Sequence, residues 1–352
     1  PEEIPQGAAR EFSTDFSRHS VPYEQILSGG VPKDGIPAIN SPQFLTIEEA
    51  DEWLEPEEPV ILVERGGQAR AYPIQILIWH EIVNDEIAGV PVVVTYCPLC
   101  NTAIAFERTV EGQVLDFGTT GRLRYSNLIM YDRQTESWWQ QGTGEAIAGE
   151  YTGEELTFLP AFIIGWEAFQ ETYPEGRVLS RETGHSRSYG NNPYPGYDDV
   201  NSSPFLYEGP ETPDVLPPKA RVLAVGIAGE APVAYSYTLF EELRVANDSV
   251  DEEPIVIFWS PETASPLDTR DLAAGREVGA LLAFSRRVGD ETLTFAFENG
   301  RIVDQETGSV WNPLGVAQEG PLAGEALEPV VAANYLWFAL AAFKPETQVF
   351  QP

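Results

Sequence analysis

Two cysteines, three histidines and one methionine make up the whole soft and imidazole inventory of this 352-residue chain, and four of these six lie close in sequence. Cys97 and Cys100 stand in Val92-Val93-Val94-Thr95-Tyr96-Cys97-Pro98-Leu99-Cys100-Asn101, directly after an apolar run of strand character. His80 lies upstream in Trp79-His80-Glu81-Ile82-Val83-Asn84-Asp85, and Met130 lies downstream in Leu128-Ile129-Met130-Tyr131-Asp132-Arg133. Two thiolates at this spacing can hold one ion from a single turn, and a neutral imidazole with a thioether completes a soft donor set. Thioether suits copper, above all Cu(I), and is a poor zinc ligand. These residues predict a copper site of His80, Cys97, Cys100 and Met130, with Glu81 or Asn84 accepting the second ring nitrogen of His80. His185 is a weaker fifth candidate, from a linker that would have to fold back over the site.

Other readings of the same residues stand beside this one. A methionine after two apolar residues also fits a core position, and His80 also fits packing or capping. The cysteines can instead form a disulfide, structural or redox-active, although so short a loop gains little from closure. A strand running into Cys-x-x-Cys resembles the thioredoxin arrangement, in which a helix N-terminus lowers a thiol pKa. Here Thr102 to Arg108 reads as a strand, which argues against that fold. A metal-free enzyme using Arg122, Arg124, Asp132, Arg133 or Glu136 is a third possibility. The chain has no Ser, His and Asp set, no phosphate-cradling loop and no dinucleotide fingerprint.

Composition sets the outer bounds. With 43% hydrophobic residues the chain can bury a large core, and a formal charge of −34 excludes nucleic acid and anionic membrane as natural partners. Only Lys33, Lys219 and Lys344 are lysines among 21 basic residues, a bias that fits a heat-adapted source and equally a halophile. No apolar run reaches the ~20 residues that span a bilayer. The chain begins at Pro1, which suggests a removed leader and an extracytoplasmic location.

The elements that must position the cysteines read mainly as strands. Residues 1–58 form an arm rich in Pro and Gly, with one helix from Ile47 to Leu54 capped by Thr46 with Glu49, and with His19 in a surface or packing role. Strands are predicted at Val60–Val63, Ala69–Pro73, Glu81–Ile87, Pro91–Tyr96, Thr102–Arg108 and Val114–Phe117, a helix at Ile74–Trp79, and a turn at Gly118–Gly121. Further helices are predicted near Gly165–Tyr173 and Asn334–Phe343.

The sequence also repeats itself. Ala71-Tyr72, Asn84-Asp85 and Pro91 to Tyr96 recur 163 residues later as Ala234-Tyr235, Asn247-Asp248 and Pro254 to Trp259. Asp132 to Trp139 recurs 172 residues later as Asp304 to Trp311. We read residues 59–183 and 219–352 as two copies of one unit joined by a linker at 184–218. In the second copy Ser260, Thr263, Leu243 and Ile302 replace Cys97, Cys100, His80 and Met130. The expected fold is mainly β with short helices (α+β), two homologous β-rich lobes about a pseudo-twofold axis, and the arm across them.

The strings around His80, the Cys-Pro-Leu-Cys turn, Phe117-Gly118, Met130 to Trp138, Thr183-Gly184-His185 and Pro193-Tyr194 together resemble the domain-of-unknown-function family numbered 3179. That resemblance implies secreted or lipid-anchored bacterial and archaeal proteins with no assigned reaction. The function expected from the residues is an extracytoplasmic copper protein acting in electron transfer, copper handling or copper-dependent oxidation. The alternative is a non-enzymatic envelope or assembly protein with a Cys97–Cys100 disulfide, a protein partner or a second copy of itself.

Overall fold

The computed structural model describes residues 3–352 and is mainly β, with 39% strand against 13% helix. The reason lies in the residues: β-branched and aromatic side chains alternate with turn residues at short intervals, leaving no run long enough for an extended helix. Ile74–His80, Trp166–Thr172, Tyr237–Leu243 and Trp337–Phe343 are the helices of seven residues. Among the described residues no helix is long and apolar enough to cross a membrane.

In the N-terminal half, Ile82–Ile87, Val90–Cys97, Thr102–Glu107 and Thr157–Leu159 form one antiparallel sheet. Pro59–Arg65 and Gln68–Pro73 form the predicted hairpin, paired on one side with Phe162–Gly165 and in parallel on the other with Arg177–Leu179. A third sheet carries Ile26–Ser28, Phe117–Arg124, Asn127–Asp132, Trp138–Gln140 and Ala146–Ala148. The C-terminal half has sheets of similar order, built on Val245–Val250, Glu253–Ser260 and Ala280–Ser285, on Arg221–Val225 between Ala332–Leu336 and Val233–Ser236, and on Phe295–Glu298 through Ala317–Glu319.

Three sequence expectations shift. Gly118–Gly121 is not a free turn but part of the strand Phe117–Arg124, whose register slips by a bulge between Thr119 and Arg122. The helix expected from Asn334 begins at Trp337, because Ala332–Leu336 is pulled into a strand against Arg221–Val225. The helix expected from Ile47 to Leu54 stops at Asp51, after an unexpected short helix at Ala8–Glu11, though its capping box is as expected: Thr46 Oγ1 accepts from Glu49 N, and the Glu49 carboxylate accepts from Thr46 N.

The arm is stapled down. Phe12, Tyr23 and Ile26 pack on Tyr131, Trp138 and Ile147. Lys33 pairs with Glu136, and Arg133 pairs with Asp34. The segment from 184 to 218 contains no strand or helix and runs back across the N-terminal half, where the Tyr197 hydroxyl donates to Leu99 O at 2.9 Å.

Several polar arrangements occur once in each half. The Tyr72 hydroxyl donates to Asp85 and the Tyr235 hydroxyl to Asp248. Asn84 exchanges two hydrogen bonds with the backbone of Phe117, as Asn247 does with Phe295. The helices ending at His80 and Leu243 are each followed by a residue at positive φ, Glu81 at 59° and Arg244 at 67°. Asp132 is fully buried, and its carboxylate accepts from Thr135 N, Thr135 Oγ1 and Trp139 Nε1, the last at 2.9 Å; Asp304 does the same with Thr307 and Trp311. Asp132→Ala strands a buried indole N–H and a backbone N–H, so we expect a loss of about 2–4 kcal/mol in urea unfolding. Asp304→Ala is expected to cost a similar amount, and Glu150→Ala on the surface next to nothing.

Candidate functional site

Val90–Cys97 is buried on both faces, and its alternation decides where the sulfur goes. Val92, Val94 and Tyr96 pack into one apolar cluster, while Val93 and Cys97 face another that also contains Cys100, Ile104, Leu128 and Met130. At Pro98 the chain must leave the sheet, since proline cannot donate to the ladder. Pro98–Cys100 makes a single 3₁₀ turn closed by Asn101 at φ 47°, a conformation that asparagine tolerates. Cys97 therefore occupies the position before the turn, and its sulfur points to the Ser126 carbonyl and not onto the turn's N–H groups.

Both sulfurs are free thiols and buried, and the Cys97 thiol donates to Ser126 O at 3.6 Å. Burial works against ionisation of Cys97, but the Cys100 thiol and the N–H groups of Leu128, Cys100 and Leu99 outweigh it and hold Cys97 below its ordinary value. Burial, then the neighbouring Cys97 charge, drive Cys100 far up, with the Asn127 side chain pulling in the opposite direction. The pair is thus asymmetric, with Cys97 the sulfur that gives up its proton first and Cys100 the one that keeps it.

A polar network holds the far side. Asn127 Nδ2 donates to Gln141 Oε1 at 2.7 Å, its Oδ1 accepts from Gln140 Nε2 and Gly142 N, and Gln141 Nε2 donates to Thr95 Oγ1 and Thr102 O. The Ser126 hydroxyl donates to Phe205 O, tying this strand turn to the returning linker.

Glu81 is the other titratable group beside the thiols. It is 7% exposed, and among the described residues no donor reaches its carboxyl oxygens. Burial, with the Cys97 charge second, pushes its pKa far above the usual carboxylate range. Glu81 and Cys97 line the same cavity, about 120 Å³, together with Leu99, Leu128, Tyr194 and Phe205. Phe205 is 56% exposed, so the cavity reaches the surface beneath the linker.

The four residues expected to share an ion are placed unequally. Cys97, Cys100 and Met130 belong to one apolar cluster, with Met130 on the same strand face as Leu128. His80 has both ring nitrogens engaged elsewhere, Nδ1 with Pro37 O and Nε2 with the Tyr189 hydroxyl, each at 2.7 Å. His185 is exposed, its ring 5.5 Å from that of His80. Asn84 is occupied by Asn40 and Phe117. Among the described residues no group of three or more His, Cys, Asp or Glu side chains is disposed to hold a metal ion. Arg122, Arg124, Asp132, Arg133 and Glu136, the residues considered for a metal-free enzyme, are committed to the turn and to the arm.

Sequence reasoning did not single out Asn127, Tyr194 or Tyr197, and gave Glu81 only a supporting role. Ser126-Asn127 and Pro193-Tyr194 flank or belong to the specific strings, so the available signal was their place in those strings rather than their chemistry.

The fold and site define a mainly β protein with a buried, asymmetric thiol pair, one member of which, Cys97, shares a small, largely apolar cavity with a carboxyl group. The chain belongs to the family described as Protein of unknown function (DUF3179), which matches residues 33–347. No curated protein and no solved structure matches it.

The buried ionisable groups make stability depend on pH in opposite senses. Glu81 keeps its proton in the fold while the unfolded chain loses it above about 4.5, so its contribution is present at low pH and is lost as pH rises. Burial lowers His80 to about 4, so the unfolded chain binds a proton that the fold refuses, and stability is lost as pH falls from about 6.5 towards 4. Relative to the parent, Glu81→Gln is expected to gain stability between pH 4.5 and 8, and His80→Gln to gain it between pH 6.5 and 4.5, in urea titrations. Parallel pH curves for parent and variant would contradict the assignment.

Proposed function

We propose that this protein acts through a thiol redox centre, with Cys97 as the reactive thiolate and Cys100 as the thiol that closes a disulfide with it. The observation that carries this reading is the placement of two free, buried thiols at the two ends of one 3₁₀ turn, with Cys97 lining a cavity, and their ionisation displaced in opposite directions. A thiolate on the same turn as a second thiol needs no rearrangement of the chain to be resolved once oxidised. The cavity supports it further by giving a small reactant access to Cys97. A copper centre, expected from the residue types, gains support from Met130 in the cysteine cluster and loses it from the engagement of His80.

We further propose that residues 59–183 and 219–352 are copies of one unit packed about a pseudo-twofold axis, and that only the first copy kept the site. The recurring Tyr–Asp, Asn–backbone and Asp–Thr–Trp arrangements support common descent. By the same offset Arg244 replaces Glu81, as Ser260 and Thr263 replace the cysteines. The positive φ at that junction thus goes with the scaffold, and the carboxyl goes with the site.

The test is oxidation of the reduced, purified chain by methyl methanethiosulfonate and re-reduction by a small dithiol, followed by intact mass, with elemental analysis of protein prepared without chelator or His-tag. We expect a reversible loss of two hydrogens, abolished in Cys97→Ser and in Cys100→Ser, and substoichiometric metal. Thiols that methyl methanethiosulfonate does not convert to the disulfide would overturn the redox reading. About one copper per chain, lost in Cys97→Ser, would overturn it in favour of the copper centre.

A further inference from the structure

Buried carboxylates in this protein are well supplied with donors. Asp132 accepts from three groups, Asp85 from Arg70, Tyr72 and the N–H of Glu86, and Asp198 from Arg221, Arg276 and Ser265. Glu81 lines a cavity with Cys97, and among the described residues no donor reaches its carboxyl. Its oxygens are not sealed in the core, as the unpaired Trp138 Nε1 and Gln140 Oε1 are, but open onto that cavity. The carboxyl is placed as a group awaiting a partner that enters the cavity.

That cavity restricts what the partner can be. Its volume of about 120 Å³ holds a molecule of a few heavy atoms, and Val31, Ile36, Leu99 and Leu128 in its wall favour an uncharged one. Arg122 and Thr119 also line it, but the Arg122 guanidinium is held by Glu11 and by the carbonyls of Thr120 and Gln6. A thiolate on one side and a carboxylic acid on the other suit a molecule that accepts sulfur attack and must shed or accept a proton on oxygen.

We infer that Glu81 is the general acid of a two-electron reaction at Cys97, and that the cavity takes a small neutral oxygen donor, a hydroperoxide or a sulfoxide. This inference rests on the thiol redox reading above. With a hydroperoxide, the Cys97 sulfur bonds to the terminal oxygen and the O–O bond breaks. The electron pair leaves with the alkoxide, which takes the Glu81 proton and departs as alcohol, while Cys97 becomes a sulfenic acid. The Cys100 sulfur then attacks the Cys97 sulfur, and hydroxide leaves as water with the Cys100 proton. Two thiols and one hydroperoxide thus give one disulfide, one alcohol and one water; Glu81 regains from solvent the proton that Cys97 released on ionising. With a sulfoxide, the oxygen passes to Cys97 together with the Glu81 proton, a thioether leaves, and the second step is unchanged.

The test follows the reduced, full-length chain by stopped-flow tryptophan fluorescence and quenched intact mass, without air. Hydrogen peroxide, ethyl hydroperoxide and dimethyl sulfoxide are the oxygen donors. Methyl methanethiosulfonate is the control, since its sulfinate leaves without needing a proton. We expect at least one donor class to oxidise the pair well above the rate of free cysteine, the two classes being told apart by which one reacts. In Glu81→Gln that rate should fall about 10²-fold, the usual worth of a positioned acid, with the thiosulfonate rate unchanged and Glu81→Asp in between. If Glu81→Gln does not fold, Glu81→Asp alone carries the comparison. Equal rates in parent and variant, equal slowing of the thiosulfonate, or no donor faster than free cysteine would each overturn the inference. A pair that thiosulfonate also fails to convert to the disulfide would signal failure of the redox reading itself.

Discussion

The sulfur of Cys97 sits where a doubly buried strand is forced to stop, and most of the site follows from that. The strand cannot slip by one residue without turning Val92, Val94 and Tyr96 out of their cluster and Cys97 into it. The proline that ends the ladder also starts the turn, so N–H groups that would otherwise seek strand partners lie close to the sulfur and favour its ionised form. No cation is needed to favour the thiolate. The dipoles of three backbone groups and one thiol outweigh the burial that the core demands, and the core in turn makes those dipoles effective by excluding water.

Glu81 illustrates the opposite balance. Its backbone lies at positive φ at the step from helix to strand, where the carbonyl accepts from Tyr96 N at 2.8 Å, and Arg244 and Trp259 repeat this geometry in the other half. The strain therefore belongs to the joint between a short helix and its sheet. A long side chain at that joint projects beside the end of the next strand. In one half this brings a carboxyl into the cavity that Cys97 lines, and in the other the residue at the joint is Arg244.

Features encoded locally were legible in the sequence. The Thr46 capping box, the Arg65–Gln68 hairpin, the Asp132 turn and the strand into Cys-Pro-Leu-Cys each depend on residues within a few positions of one another. The extended state of Asn334 was not, because an apolar stretch ending in Trp337–Phe343 fits a longer helix until a partner strand, over a hundred residues earlier, claims its first part. The engagement of His80 was illegible for the same reason. Its partners, Pro37 and Tyr189, lie 43 and 109 residues away in segments without regular structure. Ligand chemistry identified the cysteines, but an imidazole's availability depends on what the folded chain has already bonded to it, and spacing carries no record of that.

The cover over the thiols arrives late in the chain. Tyr197 reaches Leu99 across 98 residues, and Tyr335, whose hydroxyl donates to Gly142 O, reaches the same cluster from near the C-terminus. During synthesis the Cys-Pro-Leu-Cys turn leaves the ribosome long before either segment exists. The interval exposes a reactive dithiol to whatever redox partner meets the growing polypeptide, so the maturation history of the protein, and not only its final geometry, decides the state in which its sulfurs are sealed.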